Sequence, residues 1–130
     1  LGFLLTSWLT RWFPADHPMT REILAGAAMP SGILALLALA AIFAPLVEET
    51  MFRGLLLHHL RRHGYAIAVV GSSVIFAAVH PQGLAGIPAL TAIAMVFALI
   101  RTWRGSLLAS MAAHAFHNGV LVVVMVLIFG

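Results

Sequence analysis

The chain has 130 residues, of which 62% are hydrophobic and only 8% are charged. Soluble domains carry about 25% charged residues, so this composition excludes an ordinary soluble protein and is typical of an integral membrane protein. There is no cysteine, which excludes disulfides, thiolate metal ligands and cysteine catalysis. The net charge is +3, but the arginines are few and scattered beside apolar runs, which indicates membrane topology rather than nucleic-acid binding.

An apolar N-terminal stub, residues 1–13, precedes four apolar runs. The runs are residues 23–47, with a mixed extension to 64, then 65–79, 84–100 and 106–129. They do not alternate as barrel strands do, and a spanning helix needs about 20 residues. We therefore expect an all-α polytopic transmembrane helix bundle of about four spanning helices plus the stub. Breaks or kinks are expected at Pro30, Gly32 and Pro45.

Two connections between the runs carry pairs of arginine, namely Arg61 with Arg62 and Arg101 with Arg104. In an antiparallel bundle both pairs fall on one side of the membrane, and the positive-inside rule places that side in the cytoplasm. No repeat or linker divides the chain. Residues 1–130 are therefore expected to form a single membrane-embedded domain, the core of a longer multi-pass protein of a prokaryotic inner or cell membrane.

Polar residues interrupt three of the four runs. Glu48 lies in the first, His80 at the end of the second, and His114 and Asn118 in the fourth. At ~1.5 Å of rise per residue, all four lie roughly 15–24 Å from the arginine-bearing end. Ionisable groups inside a membrane cost about 2.5–3.5 kcal/mol each and face a bundle interior or a cavity. This common depth predicts a functional site between three helices.

Helical spacing distinguishes the two adjacent glutamates. Glu49 and Arg53 are four residues apart in the favoured acid-first order, so they are expected to form an ion pair. Glu48 lies about 100° further round the helix and is left available for chemistry. His114 and Asn118 are also four residues apart and share a face. A general base and two potential oxyanion donors are the parts needed to hydrolyse a peptide bond with activated water.

Three short motifs carry these residues in order: EETMFR (48–53), FAAVH (76–80) and HAFHN (114–118). They correspond to the patterns EExxxR, FxxxH and HxxxN. Together they resemble the CAAX protease and bacteriocin-processing (CPBP) family of intramembrane glutamic endopeptidases, also called the ABI or type II CAAX prenyl endopeptidase family. The resemblance extends over residues 45–120.

The resemblance implies a role for each motif residue. Glu48 would be the general base that activates the attacking water, and His80 would hold and polarise that water. His114 and Asn118 would stabilise the oxyanion of the tetrahedral intermediate.

The supporting positions of the family correspond to Glu49, Arg53 and Phe76. The implied reaction needs no cofactor and acts on a membrane-associated peptide or protein, in CAAX-like or leader-peptide processing. Membrane lipid and such a substrate, which in a CAAX protein is prenylated, are the expected partners, and nucleic acid is not.

Other functions remain open from the residues alone. In a zinc-dependent membrane protease, Glu48, His80, His114 and His117 would supply the ligands, although the chain has no HExxH motif. A non-catalytic membrane binding or bacteriocin-immunity protein would retain the site without using it. A proton-coupled transporter would use the same buried acids, but no inverted repeat is present. His117 lies outside the motif pattern and is expected to pack locally or line the cavity.

Overall fold

A computed structural model describes residues 21, 25, 30–81 and 83–129 of the chain. Within these residues every regular element is a helix, and the all-α prediction is confirmed. Three helices are long and apolar enough to cross a membrane: Ser31–His63, Leu84–Arg104 and Leu107–Ile128. A shorter apolar helix, Tyr65–Ala78, lies between the first two. The predicted stub at residues 1–13 lies outside the described residues.

The first span combines several helical geometries in one continuous rod. In order, it contains α1 (Pro30–Ala38), a first π segment (Leu39–Phe43), α2 (Ala44–Glu49), a second π segment (Thr50–Leu56), α3 (Leu57–Leu60) and a 3₁₀ turn (Arg61–His63). The remaining helices are α4 (Tyr65–Ala78), α5 (Gly83–Arg104) and α6 (Leu107–Phe129).

Expected breaks at Gly32 and Pro45 do not occur. Gly32 lies inside α1, and Pro45 lies in the first turn of α2, so the chain stays helical through both. The disturbance at Pro45 takes a different form, because the hydrogen-bond register changes just before it. The N–H of Ala44 donates to the carbonyl of Leu39, five residues earlier. Such π segments are rare in proteins, and those that occur often lie at functional sites. Here two π segments flank the helix that carries both glutamates.

Two glycines turn the chain at the same end of the bundle. Gly64 (φ 110°) separates the first span from α4, and Gly105 (φ 63°) separates α5 from α6. Both conformations are accessible to glycine at low cost. Tyr65 Oη and Thr102 Oγ1 lie 2.9 Å apart at this end and share a hydrogen bond. The two arginine pairs therefore flank one end of the bundle, as expected for antiparallel helices.

Small residues bring the helices together. Ala68 on α4 and both Ala94 and Ala98 on α5 are completely buried, and close helix packing in membranes depends on such residues. The last helix, α6, packs against the first π segment, where a Cβ at Gly119 would lie 3.6 Å from the Cβ of Ala41. This arrangement places the middle of the first span between α4, α5 and α6.

Candidate active site

The first span, α4 and α6 bring one carboxylate and two imidazoles together. Glu48 on α2 projects its Oε2 atom to 3.7 Å from Nε2 of His80 and 3.6 Å from Nε2 of His114. Oε2 is buried and forms no hydrogen bond within the described residues. Both separations are longer than the 2.7–3.2 Å of a direct N–H···O hydrogen bond, so the carboxylate oxygen and the two ring nitrogens face one another without bonding directly.

His80 is positioned by the end of α4. Its Nδ1 lies 2.7 Å from the carbonyl oxygen of Phe76, one turn earlier, and donates to it because a carbonyl only accepts. This bond satisfies a carbonyl near the helix terminus. It also fixes the ring so that Nε2 is directed at Glu48. His80 therefore caps the end of α4 and faces Glu48 at the same time.

Behind Glu48, Glu49 organises a fully buried polar group. Its Oε1 lies 3.1 Å from Nη1 of Arg53 and 2.9 Å from Nδ1 of His114. Their exposed fractions are 0% for Glu49, 1% for Arg53 and 4% for His114. The expected Glu49–Arg53 ion pair is thus present, and the same carboxylate also orients the imidazole that faces Glu48. Arg53 Nη2 donates to the carbonyl of Ala94 on α5 at 2.8 Å.

Aromatic rings enclose these groups. Phe76 lies with its ring centroid 4.1 Å from that of His80 and 4.6 Å from Cζ of Arg53. Phe97 stacks on His114 at 4.6 Å with an interplanar angle of 20°, and its ring lies 5.6 Å from Arg53 Cζ. Cation–π contact of this kind contributes about 2 kcal/mol or more when desolvated. The rings hold the guanidinium and both imidazoles in place while keeping water away from the ion pair.

Asn118 contacts the first span rather than Glu48. Its Nδ2 donates to the carbonyl of Ala40, in the first π segment, at 2.9 Å. An amide NH₂ has two hydrogens, so one remains after this bond. His117, one residue earlier, is half-buried and makes an edge contact with Phe97 at 6.1 Å. That contact agrees with the packing role expected for His117.

A family model for the type II CAAX prenyl endopeptidase Rce1-like family matches residues 30–120, well over half of the chain. The chain belongs to this family. The match includes all three motifs and confirms the resemblance found in the sequence. Neither the curated proteins nor the solved structures contain a significant match to the chain. Membership makes this Rce1-like chain an integral membrane protein of the CAAX-type intramembrane protease class.

The Rce1-like motifs leave two parts of the site unmarked, and both come from α5. Phe97 and the carbonyl of Ala94 contact the polar group, yet α5 supplies no ionisable side chain to it. Their only sequence signal is the placement of Ala94, Phe97 and Ala98 on one helical face, which is typical of ordinary packing. In the described part of the chain, no group of three or more His, Asp or Glu side chains is arranged to hold a metal ion.

Proposed function

We propose that the protein is a glutamate-type intramembrane endopeptidase in which Glu48 activates the water that cleaves the peptide bond. The observation that carries the proposal is the environment of Glu48 Oε2, which is buried, makes no hydrogen bond to the described residues, and lies between two imidazole nitrogens. General-base hydrolysis requires a carboxylate within reach of a water that a neighbouring group orients, and the imidazole of His80 can supply that orientation.

The reaction begins with a water that contacts both Glu48 and His80. Glu48 takes a proton from this water as its oxygen attacks the carbonyl carbon of the scissile bond, and the carbonyl oxygen becomes an oxyanion. When the C–N bond breaks, the proton held by Glu48 passes to the leaving nitrogen. The products are a carboxylic acid and an amine, and Glu48 is a carboxylate again. No covalent intermediate with the protein is formed.

His114 and Asn118 are proposed to stabilise the oxyanion. In its imidazolium form, His114 donates Nδ1–H to Glu49 and keeps Nε2–H for the oxyanion. Its Nε2 atom lies 3.6 Å from Glu48 Oε2 in the structure. Asn118 keeps one amide hydrogen after its bond to Ala40. Donors held in place before the reaction stabilise developing charge strongly in a site with little water. Arg53 holds Glu49, and through it His114, in position.

The proposed substrate is a membrane-associated peptide or protein, with CAAX-like or leader-peptide processing as the two candidate settings. Val47 and Met51, which flank Glu48 on the first span, are both exposed on the outer surface of the bundle. An apolar substrate segment in the bilayer can therefore approach the helix that carries Glu48. Residence in a prokaryotic inner or cell membrane, with the arginine-bearing end in the cytoplasm, is part of the same proposal.

A cleavage assay tests the proposal directly. Purified protein in detergent micelles would be incubated with a library of quenched fluorescent peptides, and the wild type compared with Glu48→Gln. Gln is nearly isosteric with Glu but cannot accept the proton, so we expect activity to disappear while the thermal unfolding temperature is retained. His59→Gln, an exposed position at the arginine-bearing end, provides a control that should remain active.

The same assay separates the other functions. Activity that persists with a strong chelator supports metal-free catalysis by Glu48. Activity that is lost on chelation and restored by zinc would instead establish the zinc protease. A folded wild-type protein that cleaves no peptide would favour a binding or immunity role.

A further inference from the structure

Pro45 leaves one backbone carbonyl of the first span without a helical donor. The carbonyl of Ala40 would accept from the N–H of Ala44 in an α-helix and from residue 45 in a π-helix. Ala44 instead donates to Leu39, and proline has no N–H. Neither position can therefore serve Ala40. An unpaired carbonyl in a membrane is costly, so another donor has to satisfy it.

Asn118 on α6 provides that donor across the helix interface. Its Nδ2 lies 2.9 Å from the carbonyl oxygen of Ala40. The neighbouring contact between Gly119 and Ala41 shows how closely the two helices approach, since a Cβ at Gly119 would lie at ordinary van der Waals distance from that of Ala41. A short amide side chain can therefore reach the first π segment without displacing it.

This bond also decides which way the Asn118 amide faces. Because a carbonyl can only accept a hydrogen bond, the NH₂ group of the Asn118 amide is directed towards the first span and the amide oxygen away from it. His114 lies one turn earlier on the same face of α6. Fixing the amide therefore fixes the direction of its second hydrogen.

We propose that Pro45 is a positioning residue for Asn118: the N–H that it lacks frees the Ala40 carbonyl, and this carbonyl orients the side-chain amide that binds the oxyanion. The kinetic part of this inference rests on the proposed function. The structural part, an exchange of hydrogen-bond donors at Ala40, does not. Pro45 touches no reacting atom and acts only through Asn118.

A double-mutant cycle tests the structural part through thermal unfolding in detergent. Asn118→Ala leaves the Ala40 carbonyl without a donor and should lower the unfolding temperature. Pro45→Ala supplies an N–H five residues from Ala40, so adding it to Asn118→Ala should recover part of that loss. Pro88→Ala, which replaces the proline inside α5, is the matched control, and its effect on the unfolding temperature should be the same with and without Asn118→Ala. Independent, additive effects of Pro45→Ala and Asn118→Ala would overturn the inference.

The kinetic part is tested on the four proteins of the cycle, namely the wild type, Pro45→Ala, Asn118→Ala and the double variant, with a peptide that the wild type cleaves. Pro45→Ala places a competing N–H at Ala40, so we expect kcat to fall about tenfold, the effect of one hydrogen bond, with KM unchanged. Asn118→Ala should lose about 10²–10³-fold, and Pro45→Ala should cost nothing further in that background. A further tenfold loss there would show that Pro45 acts by another route and would overturn the inference.

The two proposals can fail separately. If the wild type cleaves nothing, or if Glu48→Gln remains active, the proposed function fails while the thermal cycle still reports on the donor exchange at Ala40. If Glu48→Gln abolishes cleavage but the thermal effects of Pro45→Ala and Asn118→Ala are additive, the proposed function stands and the role of Pro45 is refuted.

Discussion

Replacing Arg53 with methionine measures how much the buried ion pair contributes to the fold. Arg53 is 1% exposed and its partner Glu49 is 0% exposed, so water cannot replace the lost guanidinium. The substitution removes the 3.1 Å ionic contact to Glu49 and the 2.8 Å hydrogen bond to the Ala94 carbonyl. It also removes the contacts of the guanidinium with Phe76 and Phe97.

Breaking a buried pair by removing one partner costs about 3–5 kcal/mol, chiefly because the remaining charge stays buried. Polar groups of membrane helices also find partners in the unfolded state within the membrane, which reduces such costs. We therefore expect Arg53→Met to lower the free energy of unfolding by about 3 kcal/mol, the lower end of that range. Adding Glu49→Gln removes the orphaned charge and should restore most of this loss.

The free energy of unfolding can be measured by titration with SDS in mixed micelles, followed by circular dichroism. Arg104→Met is the matched control, because Arg104 is exposed and its guanidinium lies over Trp103 at 5.4 Å. Its loss should cost under about 1 kcal/mol. A cost for Arg53→Met as small as that of Arg104→Met would refute the reasoning. So would a double variant of Arg53 and Glu49 that is less stable than Arg53→Met alone.

Three further predictions concern catalysis. His80→Gln should lower kcat by about 10²–10⁴-fold in steady-state peptide cleavage, while the exposed His59→Gln should not; equal losses would exclude a specific role for His80. Phe97→Leu removes the ring stacked on His114, and an aromatic pair contributes about 0.5–1.5 kcal/mol. We therefore expect kcat to fall about 2- to 13-fold, whereas Phe116→Leu, at a position that is 74% exposed, should have no effect; a reversed order would contradict the packing argument. Finally, cleavage should continue after dialysis against a strong chelator, and a loss that added zinc reverses would contradict catalysis without a metal.

The parts of the fold that follow from local physics could be predicted from the sequence. The predicted runs at residues 84–100 and 106–129 correspond to α5 (Gly83–Arg104) and α6 (Leu107–Phe129), because an apolar run of sufficient length is what a membrane-crossing helix requires. The pairing of Glu49 with Arg53 was equally accessible. Its partners are one helical turn apart, and their contact needs no knowledge of the other helices.

The parts that depend on contacts between distant residues could not be predicted. Pro45 signalled a disturbance in the first span, but the hydrogen-bond register on either side of a proline is set by packing. The donor that satisfies Ala40 comes from Asn118, 78 residues further along the chain. The carbonyl of Ala94 left no signal either, because every residue has a carbonyl and only the fold decides which one Arg53 reaches.

The length of α4 bears on how the reactant water arrives. Its 14 residues extend about 21 Å, whereas the hydrocarbon layer is about 30 Å thick. Since α4 starts at the arginine-bearing end, its other end, with the turn at His80, lies at a depth that lipid tails would otherwise occupy. A bilayer accommodates a helix shorter than its hydrocarbon layer by thinning around it. Such local thinning would bring bulk water close to the imidazole of His80, and a helix too short to span the bilayer would then give access to the water that the proposed hydrolysis consumes.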